Sequence, residues 1–508
     1  MSDWPLRRIV IAGGGTAGWM TAAAFGKTLG RHAEITLVES DAIGTVGVGE
    51  STIPPIRTFN NLLGIDEAEF MRETQATFKL GIEFDNWGRI GDRYFHSFGI
   101  TGKDHWSAGF QHFWLNGRDR GHDQPYADYC LELVAANAGK FAHLPDDVLN
   151  YSYQLDSTLY SRFLRRLAER EGVVRQEGKI ASVEKDGSGS RITALALESG
   201  QKIEGDLFID CTGFRALLIG GALGAEFEDW THWLPCDRAI AIQTESVEPA
   251  VPYTRAIAQE FGWRWRIPLQ HRTGNGYVFS SRFIDEDKAR EELLASLDEP
   301  LLAEPRLLKF QAGRRDKSWQ RNCIALGLSS GFLEPLESTS IYLIQIAIMH
   351  LLPLLPTKRH DQRLVDEFNF RMDLEYERIR DFLILHYHLT SREDTELWRY
   401  CRSMEVPESL QRKMRLFRHS GVVEQYRDGL FTPPSWLAVY LGQGLRPEHY
   451  NPLADSMPIE RLLAELDELH SDIADRVDEM PKHASLVARY ANAEAASDAL
   501  LHEAEARL

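Results

Sequence analysis

One stretch near the N-terminus leaves the chain little freedom in its choice of fold. Residues 8 to 39 read as a strand RIVIA, a glycine turn GGGTAG, a helix WMTAAAFGKTLG and a second strand EITLVE. Gly13, Gly15 and Gly18 fit the spacing GxGxxG, placed after a strand and opening a helix, the arrangement that lets backbone N–H groups approach a pyrophosphate. Glu39 follows Gly18 at the end of the second strand, where a carboxylate can accept both ribose hydroxyl protons. The expectation is a dinucleotide-binding α/β module.

Composition narrows what else such a chain can do. At 508 residues, with 43% hydrophobic and 26% charged residues, it has the make-up of a folded globular protein large enough for one big core and a second lobe. A formal charge of -18 argues against nucleic acid, whose phosphates call for concentrated Lys and Arg. The five cysteines stand far apart with no CxxC, so neither a disulfide framework nor zinc is indicated. The longest apolar run, Ile341 to Pro356, is broken by Gln345, His350 and Pro353 and is too short for a bilayer. The start leads directly into the strand at Arg8, and a cytoplasmic protein is expected.

Further along, GTVGVGESTIPPI (Gly44 to Ile56) is a glycine-rich loop whose two prolines fix its shape. It suits an extended cofactor such as a flavin, or a surface Ω-loop. Lys79, in ATFKLGIEF, is the lone charge among the eight residues from Gln75 to Ile82. A lysine so placed either snorkels to water or is desolvated and chemically active. His96, Phe98 and Trp106 follow in an aromatic stretch suited to an apolar pocket. Residues 151 to 213 read as a helix and a β-meander with a hairpin at Asp186 to Ser190, then a buried strand DLFID. From Arg238 to Ile284 the alternation is β-like, with a turn expected at Arg272 to Gly276. Trp263 and Trp265 share one face there and Arg264 and Arg266 the other, so the tryptophans form core or a pocket wall.

The stretch FLEPLESTSI, Phe332 to Ile341, sets the carboxylate of Glu337 and the hydroxyls of Ser338 and Thr339 directly before an apolar helix. Such a helix start either is simply capped or receives an anion on its free amides. Beyond Thr357 the chain turns helical, charged and aromatic, and its tail from Ile459 to Leu508 reads as amphipathic helices without evident chemistry.

Taken in order, GxGxxG, Lys79 in FKLGIEF, the GWRWRIP stretch (Trp263, Trp265, Ile267 and Pro268 matching WxWxIP) and FLEPLES resemble the flavin-dependent halogenases of the tryptophan halogenase family. The likeness extends over nearly the whole chain. It implies a Rossmann-like, flavin monooxygenase-type FAD module over residues 1–350, with an interleaved antiparallel β-sheet, and a helical C-terminal lobe over 351–508. It further implies FADH2 supplied by a separate NAD(P)H-dependent flavin reductase, with dioxygen and chloride or bromide converted to hypohalous acid. That oxidant would cross a tunnel to an electron-rich aromatic substrate, confinement being needed because bare hypohalous acid attacks any electron-rich side chain.

Residue by residue, the resemblance assigns Lys79 to hold the oxidant beside the substrate and Glu337 to orient it or take the arene proton, the two facing each other across a cavity. Gly13, Thr16, Ala17, Glu39, Gly49 and Glu50 match FAD contacts, Leu328 is expected to touch the flavin through its backbone, and Ile341 to close over the ring. Halide is expected at the amides of Thr339 and Ser340; Ser340 replaces a glycine of the tryptophan halogenases, which leaves halide preference open. His96 and Phe98 correspond to the aromatic sandwich around the substrate. The residues that hold the amino acid group of free tryptophan have no match near Ser435 to Gly444, so an indole-like substrate without strong affinity for free tryptophan is expected. The rival expectations are an aromatic hydroxylase on the same fold and an inactive flavin-binding sensor.

Overall fold

The glycine turn forms where its residues demand it. In the computed structural model, which describes residues 6–43, 49–105, 108–145, 148–246, 249–356, 361–426 and 429–491, the strand Arg8–Ala12 runs into Gly13 and the helix Thr16–Leu29, and the chain returns as the strand Glu34–Glu39. The loop residues 44–48, Trp106 and the tail 492–508 lie outside the described residues. Gly13 has φ +111°, and a Cβ on it would lie 2.2 Å from the Cys211 carbonyl oxygen. On Gly18 a Cβ would come within 1.9 Å of the Gly13 oxygen. Both positions therefore exclude any side chain.

The chain divides into two compact units, each assembled from three segments: Met1–Thr74, Leu155–Asp237 and Lys309–Glu377 in the first; Gln75–Gln154, Arg238–Leu308 and Arg378–Leu508 in the second. The first unit is built on a six-stranded sheet in the order Trp319–Gln320, Cys323–Ala325, Leu207–Asp210, Arg8–Ala12, Glu34–Glu39, Val174–Glu177. Four of its five pairings are parallel, and only the edge pair Trp319–Gln320 with Cys323–Ala325 is antiparallel. Strands buried on both faces read as unbroken apolar runs, which explains RIVIA and LFID. A three-stranded antiparallel meander, Ile180–Lys185, Ile192–Leu197 and Lys202–Glu204, packs Ile192, Leu195 and Leu197 into a core with Val10, Val38 and Phe208. Its first connection falls at Asp186, whose N–H donates to the Arg191 carbonyl at 2.9 Å, as expected from the sequence.

The second unit carries a seven-stranded sheet in the order Arg306–Lys309, Arg238–Thr244, Thr273–Phe279, Gly262–Pro268, Thr254–Ala258, Gly81–Asp85, Arg93–Ser97. From Arg238–Thr244 to Arg93–Ser97 its pairings are antiparallel except where Thr254–Ala258 meets Gly81–Asp85. Arg255 reinforces that parallel pair, its guanidinium lying 2.9 Å from Glu83 and 2.7 Å from Asp85. The turn expected at Arg272 to Gly276 is displaced: the Leu269 N–H bonds to the Arg272 carbonyl at 2.9 Å, and Thr273–Phe279 is already strand. Gly276 of TGNGY is there because a cross-strand ring needs the space; the Trp265 ring covers it, and a Cβ there would lie 2.1 Å from the ring.

Helices dominate the chain from Gln362 onward: Gln362–His388, Glu396–Ser403, Glu408–Ser420, Pro433–Gly442, Ile459–Glu479 and His483–Ala491. Among the described residues, no helix is long and apolar enough to cross a membrane.

Candidate functional site

In the first unit, the open side of the glycine turn has the form of an anion cradle. Gly15 caps the helix Thr16–Leu29 without any side-chain hydrogen bond, and a Cβ added to it would meet nothing within 4 Å. Residues 13 to 17 are half-buried while the strand before and the helix after are buried. Free N–H groups at a helix start, with room before them, suit a pyrophosphate. Thr16 Oγ1 lies 3.1 Å from Ser161 Oγ, and Glu39 sits beside the turn. Here Glu39 accepts from Arg175 Nε at 2.5 Å and from Trp19 Nε1 at 3.3 Å, so two donors already orient the carboxylate. Glu50, on the short strand Gly49–Ser51, has its carboxyl raised to about 7 by desolvation.

Asp210 ties this end together, and sequence reading passed over it. It ends the buried strand Leu207–Asp210, is fully buried, and accepts five hydrogen bonds: from Thr212 N (3.0 Å), Thr212 Oγ1 (2.7 Å), Ser329 Oγ (3.1 Å), Leu218 N (2.8 Å) and Ile219 N (2.9 Å). One carboxylate thus fastens the strand end to the turn at Thr212, the helical turn Leu217–Ala222 and the loop Gly327–Ser329. The available signal was an acidic residue closing the apolar strand DLFID ahead of Thr-Gly. Asp210→Ala strands those buried donors and is expected to lower unfolding stability by about 3 kcal/mol, read from urea denaturation.

The Gly327–Ser329 loop brings half-buried Leu328 to the same region. A Cβ on Gly327 would lie 2.9 Å from the Ala17 Cβ and 3.5 Å from Ile344, placing the loop against both helices. Ile344 belongs to the helix Thr339–Leu351, whose start is the FLEPLESTSI stretch. Glu337 closes the turn Pro335–Glu337, and Ser338, at φ +58°, reverses the chain into the helix. A non-glycine residue held in the left-handed region is strained, and such strain clusters where a backbone is shaped for a task. Ser338 makes no side-chain capping bond to the helix, so the expectation of ordinary capping is not met. Glu337 and Thr339 are fully buried, Ile341 is 3% exposed and Ser340 half-buried.

The remaining candidate residues belong to the second unit. Lys79 ends the strand Thr77–Lys79, paired antiparallel with Ser152–Asp156, and is 0% exposed. Of the two readings open in the sequence, snorkelling and desolvation, the structure selects the second. Its Nζ lies 5.0 Å from the centre of the Phe98 ring. Phe98 is half-buried, its N–H bonded to the Leu80 carbonyl at 3.0 Å, so ring and ammonium are set by adjoining backbone. His96 is buried against Phe382 (ring centres 5.5 Å apart) and Phe431 (6.0 Å), which stack on each other at 3.8 Å. Behind them, Lys413 is held over the rings of Tyr426 and Trp436 and its pKa is lowered by burial to about 8. Trp263 and Trp265 are buried with ring centres 6.3 Å apart, Trp263 facing Trp87 at 6.5 Å. Arg264 and Arg266 point the other way, to Ser296 and Glu299. The alternation read from the sequence holds.

The model of the tryptophan halogenase family matches residues 8–459 of the chain. Tryptophan 7-halogenase RebH of Lentzea aerocolonigenes is 35% identical over 509 residues, 92% of this chain and 95% of that protein. Among solved structures, Xcc4156, a flavin-dependent halogenase from Xanthomonas campestris, superposes with a TM-score of 0.94 at 54% identity, covering 96% of this chain and 98% of that one. BrvH, a flavin-dependent halogenase from Brevundimonas sp. BAL3, gives 0.92 at 46% identity, with 96% and 99% covered. The glycine turn, the buried Lys79 and Glu337, and the WxWxIP strand are thus found in a chain that belongs to the tryptophan halogenase family, and the protein is a flavin-dependent halogenase.

Proposed function

We propose that the protein binds reduced FAD along the Gly13–Gly18 turn and halogenates a small, electron-rich, indole-like aromatic compound. Bound reduced FAD supplies, with dioxygen, the oxidising equivalent that turns chloride or bromide into hypohalous acid. Gly13, Gly15, Thr16, Ala17 and Gly18 hold the pyrophosphate, and Glu39 with Gly49 and Glu50 the adenosine and flavin flanks. Leu328 and Ile341 border the isoalloxazine. The N–H groups of Thr339 and Ser340, at a helix start, hold the halide.

The observation that carries the reading is Lys79: a fully buried ammonium beside the Phe98 ring. A cation taken out of water needs an anion, a dipole or a π face, and is correspondingly strong as a hydrogen-bond donor to an incoming oxidant. Lys79 donates to the hypohalous oxygen and so polarises the O–X bond. The arene carbon takes X⁺, the departing hydroxide takes a proton from the Lys79 ammonium and leaves as water, and Glu337 accepts the proton lost from the ring carbon. His96 and Phe98 flank the aromatic plane, backed by Trp263 and Trp265.

No second GxGxxG occurs in the sequence, which supports a separate NAD(P)H-dependent flavin reductase as the electron source. The five cysteines are free and buried, in keeping with a cytoplasmic setting. Incubation with a flavin reductase, NADH, bromide and indole is expected to give a product with the paired bromine isotope pattern. Oxygen insertion without bromine would overturn the halogenation of this substrate class and favour the hydroxylase. Free tryptophan is expected to bind weakly; a tight calorimetric isotherm would contradict the indole-like assignment.

A further inference from the structure

The strand that carries Lys79 is held from its other side by a crowded aromatic cluster. Successive strand residues point to opposite faces, so Phe78 and Lys79 diverge. The fully buried Phe78 ring stacks on Phe141 at 4.1 Å and 11°, and its centre lies within 5.4–6.2 Å of His143, Tyr151, Tyr153, His483 and Tyr490. Two of these rings come from the last described helix, His483–Ala491, far along the chain from Phe78.

That helix is itself fastened at several points. The His483 N–H donates to the Gly139 carbonyl at 2.9 Å, and its Nδ1 lies 2.9 Å from the Ala250 carbonyl oxygen. Burial pushes the His483 pKa down to about 4, so the imidazole is neutral. Tyr490 places its hydroxyl 3.0 Å from His143 Nε2. Just before the helix, the Phe141 N–H donates to the Pro481 carbonyl at 3.2 Å, while Lys140 Nζ caps the carbonyls of Val477 and Asp478 at 3.0 and 3.1 Å. Held in this way, the helix sets the His483 and Tyr490 rings against one ring, Phe78, next in sequence to the buried ammonium.

We propose that the helix His483–Ala491 is a positioning element for Lys79: through Tyr490 and His483 it clamps Phe78 and thereby fixes where the ammonium can reach. The inference rests on the role given to Lys79 above. A donor that must meet a small, diffusible oxidant tolerates little displacement, since a shift of about 1 Å costs on the order of 10²-fold in a well-aligned reaction. A displaced ammonium does not stop oxidant formation. It lets the oxidant escape unused.

The test compares Tyr490→Ala and Tyr490→Phe with the wild type in the full chain, supplied with reductase, NADH and bromide. For Tyr490→Ala, brominated indole per flavin oxidised is expected to fall about tenfold. Free hypobromous acid caught by a chemical trap rises in step, and the rate of flavin oxidation is unchanged. Tyr490→Phe, which keeps the ring, restores coupling. A crystal structure of Tyr490→Ala is expected to show Lys79 Nζ moved from its 5.0 Å station over Phe98. Unchanged coupling, an unmoved Nζ, or loss of flavin oxidation together with product would each overturn the clamp. Should the wild type itself form no halogenated product, the halogenase reading fails, while the crystallographic comparison still decides whether the helix positions the lysine.

Discussion

Lys79→Ala is expected to lower halogenated product by about 10³-fold or more while FAD binding and the oxidation of reduced flavin stay at wild-type levels. The magnitude follows from what the substitution removes. The ammonium is 0% exposed, so water is not at hand to replace it as a donor. Alanine also leaves an apolar space beside Phe98 that offers the oxidant no polarisation. Flavin titration and product analysis by mass spectrometry separate the two outcomes. Full activity in the variant would remove Lys79 from the mechanism. Lys79→Met, which preserves the stem, is expected to behave like alanine, because the charge and its N–H groups carry the effect and not the methylenes.

Glu337→Gln is expected to cut kcat by roughly 10²-fold with little change in KM for the aromatic substrate. The amide keeps the shape of the buried side chain but cannot accept a proton, so the loss falls on the step in which the ring carbon regains aromaticity. Residual turnover comes from the water released by the oxidant taking the proton more slowly. A kinetic isotope effect on a substrate deuterated at the halogenated carbon, small in the wild type, is expected to grow in the variant. The double variant Lys79→Ala with Glu337→Gln is expected to be no worse than Lys79→Ala alone, since groups that serve one step are strongly non-additive. Additive losses would mean that the two residues act at separate stages.

Much of the framework was legible because it depends on neighbours in sequence. Gly13 takes φ +111° and Gly18 packs on the Gly13 carbonyl within the same turn, so their spacing alone announces strand, turn and helix, although the close approach of Cys211 to Gly13 comes from far along the chain. Trp263 and Trp265 follow strand period two, and the strand Gly262–Pro268 keeps it. The hairpin at Asp186 formed for the same local reason. The turn expected at Arg272 to Gly276 moved to Leu269–Arg272; Gly276, which looks like a turn residue, makes room for a cross-strand ring, a demand visible only once Trp265 lies over it.

The site was legible in its residue types but not in their states. Lys79 in an apolar stretch left burial open but pointed more to snorkelling; what buries it is the tertiary surroundings, Phe98 and the paired strand Ser152–Asp156 among them. The carboxylate of Asp210 looked like any strand end until donors from three separate segments were found on it. The tail offered no motif at all, yet His483 and Tyr490 close on Phe78.

What the sequence determined by itself is the part written in short-range rules: the glycine turn, the strand alternation, the apolar helix that follows FLEPLESTS, and through their order the family. Only the tertiary structure decided which polar groups lose their water, and how each unit is gathered from three separated segments. Burial is a property of distant surroundings, and the reactivity of an ammonium or carboxyl is set by burial more than by identity.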